Sequence, residues 1–544
     1  MKPAPPPVNS HHGRTVGIVS ILTILVALFG YVREAALAAR FGLSTTMDAY
    51  FGAIFVPTIV YMVLIAGTLS PVFIPILLQA DAGVDRNRLS ETFSIVTNFV
   101  LLFLTVIVGV AVLAVRHWLV LLFPGFSPQT IAIATRLIYV IFPSVLFVAA
   151  AGILTAVLNG FHRFALAAFA PALSSIAVIV AALLARGERA IYFIGIATAA
   201  GFLLQFLLLI PATMALGIRY RPVLNFRHPA IGKLLRLGGP LFLYLVAANG
   251  SAFVERNLAS QISAGAVSTF TYAMRLFTIP SNFLVAPLGI VVYPHLAREA
   301  LLENRGNLPH QITRIFRAVF FIFLPVMIWT IMNALPVTRL LFERGQFHFD
   351  NSLQTARVLE LYSFGILPLA VGGILLRCFY AVEDTVTALV AEMCNLGFYI
   401  VGANLLTRHF GMEGLAATRA ISFYLVAVIL FFVLWVRKHL LRCDLGLLRF
   451  VGLTAVASLA MGAVSWISWH FLHSIFDAGR IPMRLAVVGA VLLSSGATFL
   501  GAARLLKVEE AAHLLNTLLQ MVTGARGRLA GQKGDLPIVS GESL

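Results

Sequence analysis

Arg33, Glu34, Asp48, Ser268 and Arg275 are polar or charged residues set in or beside long apolar stretches, where each needs a reason to be. A charge at the centre of a bilayer costs ~2.5–3.5 kcal/mol even on the lenient insertion scale, so it persists where it faces water, a ligand or a partner. Arg275 lies within Tyr272-Ala273-Met274-Arg275-Leu276-Phe277, away from either end of its stretch. Arg33 directly follows an apolar run, so headgroup contact by snorkelling competes with a cavity role there. A guanidinium does not titrate, and its planar donors match two phosphate oxygens at once. Arg33 and Arg275 are therefore candidates to clamp a diphosphate. Glu34 is a candidate neutralising partner, or a proton or cation site. Asp48 is expected either to pair with an arginine or to cap its helix.

No HExxH, P-loop or GxSxG signature occurs in a fitting context, so no catalytic residue is expected and the chain reads as a transporter, not an enzyme. Cys378, Cys394 and Cys443 are too few and too far apart for a zinc motif or a disulfide framework, and those in spans read as small buried hydrophobes. His295 has no partner at ligand spacing, and no metal is expected.

The elements that must position these residues are membrane spans. The chain has 544 residues, 60% hydrophobic and 11% charged, with a mean hydropathy of +0.94. No water-facing globular surface tolerates that balance. A span needs roughly 20 apolar residues. Fourteen are expected, at 16–32, 49–79, 92–115, 131–158, 165–184, 191–214, 234–254, 269–297, 314–334, 355–380, 386–406, 414–435, 447–473 and 482–505. Backbone groups in hydrocarbon must be satisfied internally, and stretches of this length without period-two alternation are helices. The fold class is an all-α polytopic membrane protein.

A shift of 223 residues superposes Arg33 on Arg256, Gly42 on Gly265, Pro57 on Pro280 and Pro71 on Pro294, and at a shift of 221 Gly152-Ile153-Leu154 recurs as Gly373-Ile374-Leu375. The shift spans an even number of helices, which implies two parallel six-helix repeats around a central cavity. The expected organisation is a disordered cytoplasmic segment at 1–15, an N-lobe at 16–214 and a basic linker at 215–233. A C-lobe at 234–440, two further helices within 441–505 and a cytoplasmic tail at 506–544 follow. Pro57 and Pro280 are hinge candidates, with static bends as the alternative. Glu383-Asp384 opposes in sign His162-Arg163 of the equivalent loop, so a weak cytoplasmic contact is open.

With the N-terminus inside, the inward segments carry roughly twice as many Lys and Arg as the outward ones, which sets both termini in the cytoplasm. The formal charge of +17 then reads as contact with anionic inner-leaflet lipid. No basic soluble face exists for nucleic acid.

Gly30-Tyr31-Val32-Arg33-Glu34, Phe41-Gly42, Asp48-Ala49-Tyr50-Phe51 and Ala66-Gly67-Thr68-Leu69-Ser70-Pro71 resemble the first two helices of the MurJ/MviN family. The resemblance continues through Tyr272-Ala273-Met274-Arg275-Leu276, Leu341-Phe342-Glu343-Arg344-Gly345 and Phe379-Tyr380-Ala381-Val382-Glu383-Asp384. It implies an inner-membrane flippase of the multidrug/oligosaccharidyl-lipid/polysaccharide exporter superfamily, with two six-helix lobes and two extra helices lining a lipid-tail groove. The implied substrate is lipid II, the undecaprenyl-diphosphate-linked peptidoglycan precursor, moved by alternating access. Implied partners are cell-wall or polysaccharide synthesis proteins. Arg33 and Arg275 match two of the family's cavity arginines, and Glu34, Asp48 and Ser268 match further cavity positions. Ala27 and Tyr61 stand where the family has arginines, and Ala66 where it has a glutamate. Another polyprenyl-diphosphate sugar, an exopolysaccharide or O-antigen unit, is therefore a rival substrate. A cation-coupled drug exporter and a non-transporting scaffold are further alternatives. No cofactor is expected, and coupling to the membrane potential or a monovalent ion is left open.

Cysteines introduced at positions 225 and 540 are expected to be protected from a membrane-impermeant thiol reagent in intact cells, and one in the 343–348 loop to react. Labelling of position 540 from outside would overturn the arrangement.

Overall fold

The computed structural model describes residues 10–60, 62, 73, 86–187, 189–281, 308–382, 384–437, 440, 444–475 and 481–511. Tyr61, Ala66, Pro71, Pro294, His295, Glu383, Cys443, residues 1–9 and residues 512–544 lie outside them, whereas residues 10–15, expected to be disordered, are the helical start of Ser10–Phe41. The described residues are helical throughout their regular structure. They include ten helices long and apolar enough to cross a membrane, or eleven if the bent pair Phe349–Ser363 and Ile366–Ala381 is one span. The difference from fourteen has two sources. The stretches at 49–79 and 269–297 are only partly described, as Thr45–Val60 and Ala266–Pro280. The stretches at 386–406 and 414–435 run together as Thr385–Phe432, interrupted at Gly411 with φ 56° and ψ −129°.

Contacts divide the chain into two units. The first comprises residues 1–279, 337–362 and 389–422. Its helices are α1 (Ser10–Phe41), α2 (Thr45–Val60), α3 (Arg86–Leu113), α4 (Val115–Leu122), α5 (Pro128–Ile141), α6 (Val145–Gly160), α7 (Phe164–Phe169), α8 (Ala172–Leu184), α9 (Ala190–Met214), α10 (Pro229–Ile262) and α11 (Ala266–Pro280). Within it, α9 packs on α8, α6 and α5, α2 on α5, and α1 on α8 and α7. Small residues permit these approaches, as expected where lipid supplies no hydrophobic drive between helices. A Cβ on Gly201 of α9 would lie 2.6 Å from Ser174 Cα. Phe93, Leu154, Val157 and Leu209 contribute to a core between α3, α6 and α9.

The expected linker is strapped along α3. The Arg219 amide donates to Ser90 Oγ at 3.1 Å and the Arg221 amide to Ser94 Oγ at 2.9 Å. Asn98 Nδ2 donates to Val223 O at 2.8 Å. These side chains satisfy backbone groups that no regular element pairs.

The second unit comprises residues 280–336, 363–388 and 423–544. Its long helices are Leu308–Met332, Ile366–Ala381, Leu445–Ile475 and Ile481–Leu505; the last two, corresponding to the expected extra pair, pack on each other. Arg317 sits 4.7 Å over the Phe450 ring and pairs with Glu510 at 2.8 Å. Asn333 Nδ2 donates to Ser465 Oγ at 2.7 Å. Asp384 caps the helix that follows it, accepting from the Thr387 amide. Cys378 is buried as expected, whereas Cys394 is exposed on its helix.

The break at Gly411 generates a stability test. A Cβ on Gly414 would fall 2.1 Å from Leu406 O, whereas one on Gly397 of the same element meets nothing within 4 Å. Gly414→Ala is expected to destabilise by about 1–3 kcal/mol through forced backbone displacement, and Gly397→Ala to leave thermal unfolding in detergent unchanged or raised. Equal melting temperatures for the two variants would refute the packing at this turn.

Candidate functional site

A cavity of ≈ 260 Å³ lies within the first unit, lined by aromatic and small polar side chains and by four charged residues, Arg33, Glu34, Arg256 and Arg275. Glu34 organises two of them. Its Oε1 accepts from Arg33 Nη2 at 2.7 Å and lies 3.3 Å from Arg275 Nε. The carboxylate is 1% exposed, whereas the Arg275 side chain is 47% exposed. Glu34 Oε2 is buried and makes no hydrogen bond among the described residues. Helix α1 thus presents an acid that draws an arginine from α11 onto itself, and one oxygen stays available for a proton or a donor.

Arg256 comes from α10. Its Nη1 donates to Val267 O at 2.9 Å and also to Thr271 Oγ1. Its guanidinium carbon lies 5.6 Å from the centroid of the Phe55 ring, within cation–π range. The sequence marked Arg256 only as the repeat match of Arg33, and that match was the signal that it belongs to the site. Tyr50 and Gln205, also in the lining, carried no such signal. Pro57 lines the cavity from inside α2, and Pro280 closes α11.

Asp48 and Ser268 are brought together away from the cavity lining. Asp48 neither pairs with an arginine nor caps its own helix, because Ser44 already does the latter by accepting from the Met47 amide at 3.2 Å. Instead Asp48 caps α11. Its Oδ2 accepts from the Gly265 amide at 2.6 Å, and its Oδ1 accepts from the Ser268 amide at 2.7 Å and from Ser268 Oγ at 2.6 Å. The carboxylate satisfies orphan donors of a helix N-terminus and meets its positive dipole end. The turn beside it is glycine-built. Gly42 and Gly265, the expected repeat pair, have φ of +57° and +84°, and Cβ atoms there would lie 2.5 Å from Gln346 O and 2.7 Å from Leu43 O. Only glycine combines that backbone with that approach.

A second buried ion pair was not singled out from sequence. Glu255 Oε2 accepts from Arg419 Nε at 2.9 Å and from Tyr399 OH at 3.2 Å, while Arg419 Nη1 donates to Ser251 Oγ at 2.7 Å. Neither charged member lines the cavity. The available signal was an arginine inside an apolar stretch.

A many-span helical bundle holding a cationic, partly water-accessible cavity defines a membrane transporter. The chain belongs to the MurJ family: the family model described as "Lipid II flippase MurJ" matches residues 37–487. The Burkholderia cenocepacia protein named lipid II flippase MurJ is 27% identical over 502 residues, covering 90% of this chain and 96% of its own. A solved structure of lipid II flippase MurJ in an inward closed conformation superposes with a TM-score of 0.74 at 22% identity, covering 88% of this chain and 98% of that one. An inward-facing multidrug resistance MATE family transporter of the MOP superfamily follows at 0.62 and 16% identity, covering 77% and 98%. The two structures share this fold.

Asp48→Ala would leave the Gly265 and Ser268 amides buried and unpaired, at about 1–3 kcal/mol each. The melting temperature is expected to fall clearly, and Asp48→Asn, which retains one acceptor oxygen, to fall less. An alanine variant as stable as the parent would remove Asp48 from the role of α11 cap.

Proposed function

We propose that the protein is a flippase that moves a polyprenyl-diphosphate-linked glycan, lipid II for peptidoglycan synthesis, across the bacterial inner membrane by alternating access. The observation that carries this reading is the Arg33–Glu34–Arg275 cluster. A carboxylate presents two oxygens much as a phosphate does, so Glu34 occupies the arginines while the cavity is empty of anion. A diphosphate arriving with more charge and more acceptor oxygens competes for the same donors, Arg275 foremost because it is the most exposed member. Release of Glu34 then creates a site for a proton or a monovalent cation. Coupling to that ion or to the membrane potential enters at this step, since a transferred charge is worth ~2.3 kcal/mol per 100 mV.

Alternating access requires one end of the cavity to be sealed while the other is open. The Asp48 cap on α11 and the Gly42 and Gly265 approaches are the outward seal in this scheme, with both termini cytoplasmic. Pro57 and Pro280 serve as hinges. The membrane-facing helices contact anionic lipid on the cytoplasmic side. Cell-wall synthesis proteins supply and consume the cargo.

Ala27 and Tyr61 support a second reading. Neither can contribute the cation that the resemblance places at those positions, and an exopolysaccharide or O-antigen unit on the same diphosphate carrier would bind the remaining arginines equally well. Rescue of a cell depleted of its lipid II flippase by the unmodified chain would establish the first reading over the second, and failure of a well-expressed chain to rescue would establish the reverse order.

Arg275 gives the direct test. Arg275→Ala removes one charge-assisted contact worth about 1.5–3 kcal/mol, roughly ten- to a hundredfold in affinity. Arg275→Lys keeps charge without the fork and is expected to fall between. Flipping at the parental rate by well-expressed Arg275→Ala protein in proteoliposomes would make the residue structural.

A further inference from the structure

We infer that Arg256 is a specificity-determining residue, the cation that matches the cavity to a doubly charged diphosphate diester in preference to a singly charged phosphodiester. This rests on the diphosphate-carrier reading above. The inference starts from which charges in this region are already answered. Arg33 and Arg275 share Glu34. Glu255, the neighbour of Arg256 in sequence, is committed to Arg419 and Tyr399. Asp48 is committed to the α11 N-terminus. Arg256 thus lines the cavity with no carboxylate bonded to it among the described residues, and its hydrogen bonds there all run through Nη1 to neutral acceptors.

Those bonds fix the head of the side chain and leave the rest of the planar fork uncommitted. Together with the Phe55 ring beneath it, they hold a guanidinium in place without neutralising it. Glu255 and Asp48 act on this charge only through space, and a charge away from bulk water with no carboxylate bonded to it is costly, which favours an anionic ligand that pairs with it directly.

The charges of the lining give the valence. Arg33, Arg256 and Arg275 against Glu34 leave a net +2, and the same lining without Arg256 would be +1. A lipid-linked diphosphate diester carries two negative charges at neutral pH and a phosphodiester carries one. Arg256 therefore decides which of these the cavity neutralises. The internal repeat supports the placement: Arg256 is the counterpart of Arg33 at a shift of 223 residues, so each copy delivers an arginine to the cavity from the same position. One of the two is tied to an acid and the other is kept free for the ligand.

The test uses full-length protein in nanodiscs and two probes with the same sugar and the same polyprenyl chain, one linked through a diphosphate and one through a single phosphate. Wild type is expected to prefer the diphosphate by at least about tenfold. R256Q is expected to lose about ten- to a hundredfold of diphosphate affinity while single-phosphate binding changes by less than about threefold, so that the preference collapses. R256K, which keeps the charge, is expected to retain most of the preference. A merely structural role would instead make R256K resemble R256Q, because both lose the Nη1 geometry. That result, an equal loss for both probes in R256Q, or a preserved preference in folded R256Q overturns the inference. Wild-type protein that binds neither probe would overturn the carrier reading itself, and a wild type that binds both probes equally would overturn the role of Arg256 alone.

Discussion

A charge taken out of water must find another charge, and the arrangement of this protein around its cavity follows from how Glu34 meets that demand. Breaking a buried pair by deleting one partner costs about 3–5 kcal/mol because the survivor is stranded, although the intact pair contributes little net stability. Such a pair is therefore poor cement, and a ligand that answered the arginines would strand Glu34 unless the carboxylate took up a proton or another partner. Glu34 is buried while Arg275 remains half-exposed, so the arginine is the more accessible half of the pair. Glu255 and Arg419 differ in this respect. Both are buried, both have further hydroxyl partners, and neither reaches the cavity. Their geometry ties α10 to the later helix that carries Tyr399 and Arg419, and offers no route for exchange.

Helix α11 is the element on which the two polar sites of the first unit meet. Asp48 holds its N-terminus through Gly265 and Ser268, and Glu34 holds Arg275 along the same helix. Ser268 and Arg275 are seven residues apart, about two turns or ~10.5 Å of rise. A packed helix transmits displacement over that distance as a rigid body. The Arg275–Glu34 pair and the Asp48 cap are accordingly two restraints on one helix. Both holding acids come from the first two helices, α1 and α2, more than two hundred residues before the helix they hold.

Much of this was legible before any coordinates. The helical class follows from the long apolar runs, and the candidacy of Arg33, Glu34 and Arg275 from the expense of charge in such runs, both of which a single chain displays directly. The role of Asp48 was not legible, because a cap is normally sought within a few residues of the helix it serves, and this one serves a helix more than two hundred residues on. The same holds for Glu255 and Arg419, whose sequence separation hides a 2.9 Å contact. Arg256 lay between these cases. The repeat exposed its equivalence to Arg33, but only the commitment of Glu255 to another partner shows why it remains available. Hydropathy separates 386–406 from 414–435 because Arg408, His409 and Glu413 intervene, but it does not show that helix continues through these polar residues to a break at Gly411.

The fold alone does not name the cargo, since a MurJ structure and a MATE multidrug transporter both superpose on this chain at low identity. The cavity discriminates where the fold does not. A transporter of cationic drugs on this scaffold needs a carboxylate that is free to meet a cation in the membrane. Glu34 is the one acid in this lining, and two arginines already hold it, with a third arginine nearby that has no carboxylate bonded to it among the described residues. Protonating Glu34 would make the lining more positive, and deprotonating it leaves the lining still positive, so neither state attracts a cationic drug. The charge of the lining favours an anion in both states.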